Sequence, residues 1–308
     1  ITMEANRVIE TQDLVKVYGK YAAVNRVSFS LNKGDIYGLI GKNGAGKSTL
    51  LKMIMGLTPV NSGEISIDQS QNHLELLKSR HRVGFMMEPG FFGYLSARQN
   101  LEYFRLIKGI ADKSVVDEAL KLVDMDQVKK PFKAYSMGMK QRLAVANALM
   151  GRPEIIILDE PINGLDPEGI ADFRKLIMSL NKDYGITFVI SSHILTELSL
   201  MATRFGFIDK GVLLSEMSQQ ELHEVNQKSL RIKVDNVDLA TGLIESVLES
   251  KNYQVNDKGE IILFDFVQSP EVVAKVLVEK GIALYQLSAN ETTLEEYFLN
   301  LVGEHQNV

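Results

Sequence analysis

Eight residues, Gly41-Lys-Asn-Gly-Ala-Gly-Lys47-Ser48, fit the pattern G-x-x-x-x-G-K-[ST]; an apolar stretch, GDIYGLI, precedes them and a helical one, STLLKMIMGL, follows. A phosphate cradle needs this context. Gly41, Gly44 and Gly46, with Asn43 among them, let backbone N–H groups curl around phosphate oxygens with no Cβ in the way. The start of a helix adds the positive end of a peptide dipole. Lys47 is placed to reach β- and γ-phosphates, Ser48 to coordinate Mg²⁺, and Thr49 to bond an α-phosphate.

A second group completes the chemistry. Glu154-Ile-Ile-Ile-Leu-Asp159-Glu160 reads as a buried parallel strand tipped by two acids. In open α/β sheets ligands bind at the carboxyl ends of the strands, so both acids face the same crevice as the glycine-rich loop. Asp159 suits Mg²⁺, directly or through water, and Glu160 suits orienting or deprotonating an attacking water.

With Tyr135-Ser136-Met137-Gly138-Met139-Lys140-Gln141 ahead of that strand, residues 8–225 resemble the nucleotide-binding subunit of an ABC transporter. The segment is similar to the family signature Leu-Ser-Gly-Gly-Gln. Ser136 and Gly138 match it; Met137 and Met139 depart from it, in a form familiar among efflux ATPases. The resemblance implies that Ser136 and the amides after it bind the γ-phosphate held by an opposite subunit, as a serine at a helix start can. Ile162-Asn-Gly164-Leu165-Asp166-Pro167 resembles the D-loop, which puts Asp166 near a dimer interface. Ser191-Ser192-His193 resembles the switch histidine, whose imidazole donates to the γ-phosphate and helps hold the water and Glu160. Tyr18 resembles the aromatic residue that stacks on adenine, with Tyr21 as a rival.

The stretch RVGFMMEPGFFGYL occupies the place of the Q-loop, whose glutamine normally contacts Mg²⁺ and the attacking water. Here the register places Glu88, a harder and charged metal ligand, with Met87 as the alternative register. A glutamate at this position resembles exporters that protect Gram-positive bacteria against lantibiotics and bacitracin-like peptides. Phe91, Phe92 and Tyr94 come next, in a region that in the family receives a coupling helix of the permease; core packing explains them equally well.

These residues need elements to position them. Strand patterns around residues 7–38, with GDIYGLI as the second strand, then helical periodicity over 97–150, then strands EIIILDE and GITFVISS around the helix IADFRKLIMSLN, imply an α/β fold. The fold expected is an ABC-type P-loop ATPase domain over residues 1–228, with a helical subdomain at about 90–150. Residues 229–308 read β-α-β-β-α-β-α, the order of a small accessory α+β domain of ferredoxin-like type. This tail carries 6 basic and 13 acidic residues, a net −7 that leaves the first 228 residues at +2.

Composition narrows the function classes. The chain has 308 residues, no cysteine and a formal net charge of −5. Thiol nucleophiles, iron–sulfur clusters and cysteine-based zinc sites are excluded. A nucleic-acid partner is not expected at this charge. The N-terminal stretch ITMEANRVIE lacks the pattern of a signal peptide, and no apolar run approaches a membrane span.

The reading implied is an ATP- and Mg²⁺-dependent ATPase, peripheral on the cytoplasmic face of the cell membrane. It drives export of a peptide antibiotic or similar amphipathic substrate through a separate transmembrane permease. One signature per chain implies a second ATP-binding subunit, in the simplest case a homodimer. The alternative is an importer ATPase with a ligand-sensing tail.

Overall fold

The computed structural model of the chain describes residues 6–86, 90–225, 228–290, 297–299 and 301–303. Two long strands, β1 (Arg7–Tyr18) and β2 (Tyr21–Asn32), form a hairpin whose turn holds Gly19 at a left-handed φ of +61°. The glycine-rich loop joins β3 (Ile36–Ile40) to α1 (Lys47–Ile54), and β4 (Ser62–Ile67) returns to the free edge of β1. The result is an antiparallel three-stranded sheet in the order β2-β1-β4. GDIYGLI is thus the third strand rather than the second. Shifts of register interrupt β1 at several points, so its inward and outward residues lose the alternation that marks a strand.

The chain continues through α2 (His73–Arg80), β5 (Val83–Met86), α3 (Ala97–Ile107), α4 (Ser114–Leu122) and α5 (Met137–Leu149). Next come β6 (Ile155–Asp159), α6 (Pro167–Tyr184), β7 (Thr187–Ser192), α7 (Leu195–Ser199), β8 (Arg204–Asp209) and β9 (Val212–Ser218). A six-stranded sheet in the order β5-β6-β7-β3-β8-β9 forms the centre. All its pairings are parallel except that of β9, which turns back on β8. Every residue of β3 and β7 is buried, as expected of strands covered on both faces.

A continuous apolar core runs from Ile9, Leu14 and Val24 of the small sheet, through Leu50, Leu51 and Ile54 of α1, to Ile157 and Val189 of the central sheet. Burial of this kind stabilises by roughly 25 cal/mol per Å² of apolar surface. It fixes α1, and so the loop before it, against strands that approach from elsewhere in the sequence.

The chain divides into two compact units between Gln219 and Gln220. The composition shift after residue 228 falls inside the second unit. The division comes at the start of α8 (Gln219–Val225). Beyond it are β10 (Ser229–Val234), α9 (Val237–Ser246), β11 (Tyr253–Val255), β12 (Ile261–Leu263), α10 (Pro270–Glu279) and β13 (Leu284–Asn290). The four strands form an antiparallel sheet in the order β11-β12-β10-β13, the arrangement of a split β-α-β-β-α-β module. Leu230, Ile232, Ile261 and Leu263 of this sheet share a core with Ile244 of α9 and Leu277 of α10. Of the last helix expected from sequence, residues 297–299 and 301–303 are helical and residues 291–296 lie outside the described residues.

Candidate nucleotide site

Three parallel strands carry the site. Ile40 at the end of β3 pairs with Ser192 of β7, and Asp159 at the end of β6 pairs with Ser191. This register brings the glycine-rich loop, both acids and His193 out at one edge of the sheet.

The loop glycines answer to separate constraints. A Cβ on Gly41 would lie 2.4 Å from the carbonyl oxygen of Ile208, and one on Gly46 would lie 2.3 Å from that of Ala23. Gly44 has open space around it but a φ of +82°. Gly46 is the N-cap of α1 and no side chain caps that end. The first-turn amides of Lys47, Ser48 and Thr49 therefore suit an anion.

Lys47 is buried, at 5% exposure. Its ammonium donates to the carbonyls of Gly41 at 2.5 Å and Lys42 at 3.2 Å, and lies 2.9 Å from Glu160 Oε1. Glu160 Oε1 is buried with no directed hydrogen bond, so its contact with Lys47 is one of charge alone. The other oxygen, Oε2, is 2.9 Å from His193 Nδ1. The sequence-expected Lys47, Glu160 and His193 thus form one line of contacts.

Asp159 and Glu160 are themselves held from behind. The Glu160 backbone adopts a φ of +50°, uncommon for a residue with a side chain. Its N–H donates to Ser191 Oγ at 2.9 Å, and the Ser191 hydroxyl donates to Asp159 Oδ1 at 2.7 Å. Next to it, Ser192 Oγ accepts from the N–H of Ile194 at 2.9 Å, and the Ser192 carbonyl accepts from Gly41 at 3.3 Å. Ser191 was not singled out from sequence, because it shares a short run with His193 and its partners are about 30 residues away.

Among the described residues no group of three acidic or histidine side chains could hold a metal alone. α1 packs against β6, and the donors they offer are the Ser48 hydroxyl and the Asp159 carboxylate. Such a sparse set fits Mg²⁺, which keeps waters and phosphate oxygens in its shell.

Ser136 and Asp166 sit apart from this line. Ser136 caps α5 by accepting from the Met139 N–H at 3.3 Å, and Asp166 caps α6 by accepting from Gly169 at 2.9 Å. Both, with Gly138 and Gly164, line a groove of about 440 Å³ to which no residue of the glycine-rich loop contributes.

At the hairpin tip Tyr18 and Tyr21 pair across the strands and so share a face; both are more than half exposed. Lys16 places its ammonium 5.0 Å from the Tyr18 ring centre, and the Tyr21 hydroxyl donates to the Gly44 carbonyl at 3.1 Å. Glu88 and Met87 lie outside the described residues. Phe91 packs on Phe104 and Phe132, with ring centres 5.4 and 5.2 Å away, and Phe92 on Tyr103 at 4.8 Å. Tyr94, 73% exposed, is the one of the three that faces solvent.

Residues 24–163 match the model of the ABC transporter family. The bacitracin transport ATP-binding protein BcrA of Bacillus licheniformis is 40% identical over 301 residues, covering 96% of this chain and 97% of that protein. The lantibiotic transport ATP-binding protein SrtF of Streptococcus pyogenes is 39% identical over 211 residues, 68% of this chain and 90% of its own. A dimeric ATP-binding cassette, MJ0796, solved in a post-hydrolysis state with ADP and phosphate, superposes with a TM-score of 0.61 at 25% identity, over 68% of this chain and 98% of its own.

Proposed function

This chain belongs to the ATP-binding proteins of ABC transporters and is an ATPase, and we propose that it drives export of a peptide antibiotic or similar amphipathic molecule through a separate membrane permease. The observation that carries the catalytic part is Glu160, whose carboxylate touches Lys47 on one oxygen and His193 on the other. In this reading ATP lays its phosphates on the Gly41–Thr49 loop, with Tyr18 or Tyr21 against the base. Lys47 exchanges its own carbonyls and Glu160 for β- and γ-phosphate oxygens. Glu160, released from Lys47 but still held by His193, orients a water against the γ-phosphorus. The P–O bond to the β-phosphate breaks, leaving ADP and phosphate, and Glu160 accepts the proton of the water. Ser48 and Asp159 would hold Mg²⁺, which would supply positive charge against the phosphates. Catalysis of this kind is positioning and charge stabilisation rather than covalent chemistry.

Ser136, Gly138 and Asp166 act in this reading on the nucleotide of a second copy, so two chains make two composite sites. Residues 1–228 are read as the ATP-binding domain and 229–308 as its accessory domain. No helix among the described residues is long and apolar enough to cross a membrane. We place the chain at the cytoplasmic membrane face, attached to its permease. The export reading is supported by the match to a bacitracin transport protein over nearly the whole of both chains, accessory region included.

In a host carrying the permease, removing this chain or replacing it by Glu160→Gln should raise sensitivity to bacitracin or a lantibiotic. Sensitivity unchanged to a panel of such peptides, with ATPase activity intact, would refute the export reading. Glu88→Gln tests the unusual acid: it should keep ATP binding and alter Mg²⁺ dependence or transport, and a variant unchanged in both shows an idle residue.

A further inference from the structure

Ser191 is completely buried, and its hydroxyl is committed twice. It accepts the Glu160 N–H and donates to the Asp159 carboxylate, so one side chain of β7 ties together the last residue of β6 and the residue after it. Strand register alone carries the ladder only to Asp159, which pairs with Ser191. The next residue, Glu160, leaves the strand with a left-handed φ of +50°, a strained conformation for an L-residue that persists only where the surroundings impose it. The bond to Ser191 Oγ holds the Glu160 N–H at the turn itself, and the Glu160 carbonyl accepts from the Asn163 N–H at 3.3 Å.

We propose that Ser191 is a positioning residue for ATP hydrolysis, setting the carboxylates of Asp159 and Glu160 relative to each other at the end of β6. This rests on the reading that Glu160 orients the attacking water and Asp159 serves Mg²⁺. Ser191 acts through Asp159 and Glu160 rather than on the reacting atoms. It acts by holding the Glu160 turn so that the side chain meets Lys47 and His193, and by leaving one Asp159 oxygen, not two, for other donors. Without the hydroxyl, the Glu160 N–H loses its acceptor and Asp159 loses its donor, and both are partly shielded from water. Ser192 plays no part in this pair; its hydroxyl serves the turn that carries His193.

The test uses the full chain with Ser191→Ala, Ser191→Thr and Ser191→Val, beside Glu160→Gln. Threonine and valine have the same shape and differ by the hydroxyl, so their comparison separates hydrogen bonding from packing. Steady-state hydrolysis, binding of ATP and the Mg²⁺ concentration for half-maximal rate are measured for each, with thermal melting as a check on folding. For alanine and valine we expect kcat to fall by about tenfold to a hundredfold, the loss typical of a small misplacement of a catalytic group, with ATP affinity held within about threefold. Threonine should recover most of kcat and a wild-type Mg²⁺ response. Equal rates for threonine and valine, wild-type kcat for alanine, or a loss of ATP affinity that matches the loss of kcat would each overturn the proposal. Glu160→Gln separates the two layers. If it turns over at the wild-type rate, the reading of Glu160 falls and the role of Ser191 with it; if it is inactive while the alanine variant is normal, the role of Ser191 alone falls.

Discussion

Gly44 and Gly46 lie in one loop, yet what each tolerates differs. A side chain on Gly46 meets the Ala23 backbone, which cannot move without disturbing β2, whereas one on Gly44 meets open space and only the left-handed backbone resists it. Gly46→Ala should lower the melting temperature by several degrees and abolish ATP binding. Gly44→Ala should cost only about 1–2 kcal/mol. Equal melting curves for the two would contradict the packing argument. The paired tyrosines part in a similar way. Tyr18 has a cation on its ring and a free hydroxyl edge, while Tyr21 is tied to the loop through its hydroxyl. If Tyr18 stacks on the base, Tyr18→Ala should weaken ATP binding by about 1 kcal/mol, and Tyr21→Ala should weaken it less. Titration with ATP distinguishes them, and the reverse order would move the base to Tyr21. The loop, the two acids and His193 were legible because each lies in a short local pattern. Ser191 was not, since its function depends on pairing across strands.

At the level of elements, the parallel strands were legible and the first hairpin was not. β6 and β7 are short apolar runs bounded by polar residues, as strands buried on both faces must be. β1 and β2 face a core on one side only and are bent by register shifts, with Asp13 and Arg26 at positive φ, so no clean alternation survives. A polar contact also joins elements across the central sheet. Tyr37 of β3 is wholly buried and donates to Glu216 of β9 at 2.7 Å, with Arg204 of β8 3.8 Å from the same carboxylate. Burial raises the pKa of Glu216, more than the Tyr37 hydrogen bond and the Arg204 charge lower it. The unfolded chain therefore releases this proton at lower pH than the folded one. Stability falls as pH climbs from the ordinary carboxylate range through the raised value. Glu216→Gln keeps an acceptor for Tyr37 and removes the titration. Its melting temperature relative to wild type should rise as pH climbs above the ordinary carboxylate range and level off once the raised value of the folded state is passed. A difference that stays flat with pH would show that Glu216 does not titrate as described.

At the scale of the whole molecule, the charge contrast separated an acidic tail from the rest, and a β-α-β-β-α-β order was readable from turn and helix signals such as Pro270 and Gly281. The strand order β11-β12-β10-β13 is the one a ferredoxin-like module implies, although pairing β10 between β12 and β13 joins segments distant in sequence. The groove bearing Ser136, Gly138 and Asp166 contains no residue of the phosphate loop, and in the function proposed above it meets the nucleotide of a second copy. On that proposal, two copies associate only when nucleotide is bound. The most direct measurement is the mass in solution of Glu160→Gln, with and without ATP. We expect 34.4 kDa without nucleotide and about twice that with ATP, and no such change when Lys47→Ala is added. A mass that stays at one chain at saturating ATP, in a variant shown to bind it, would contradict the account.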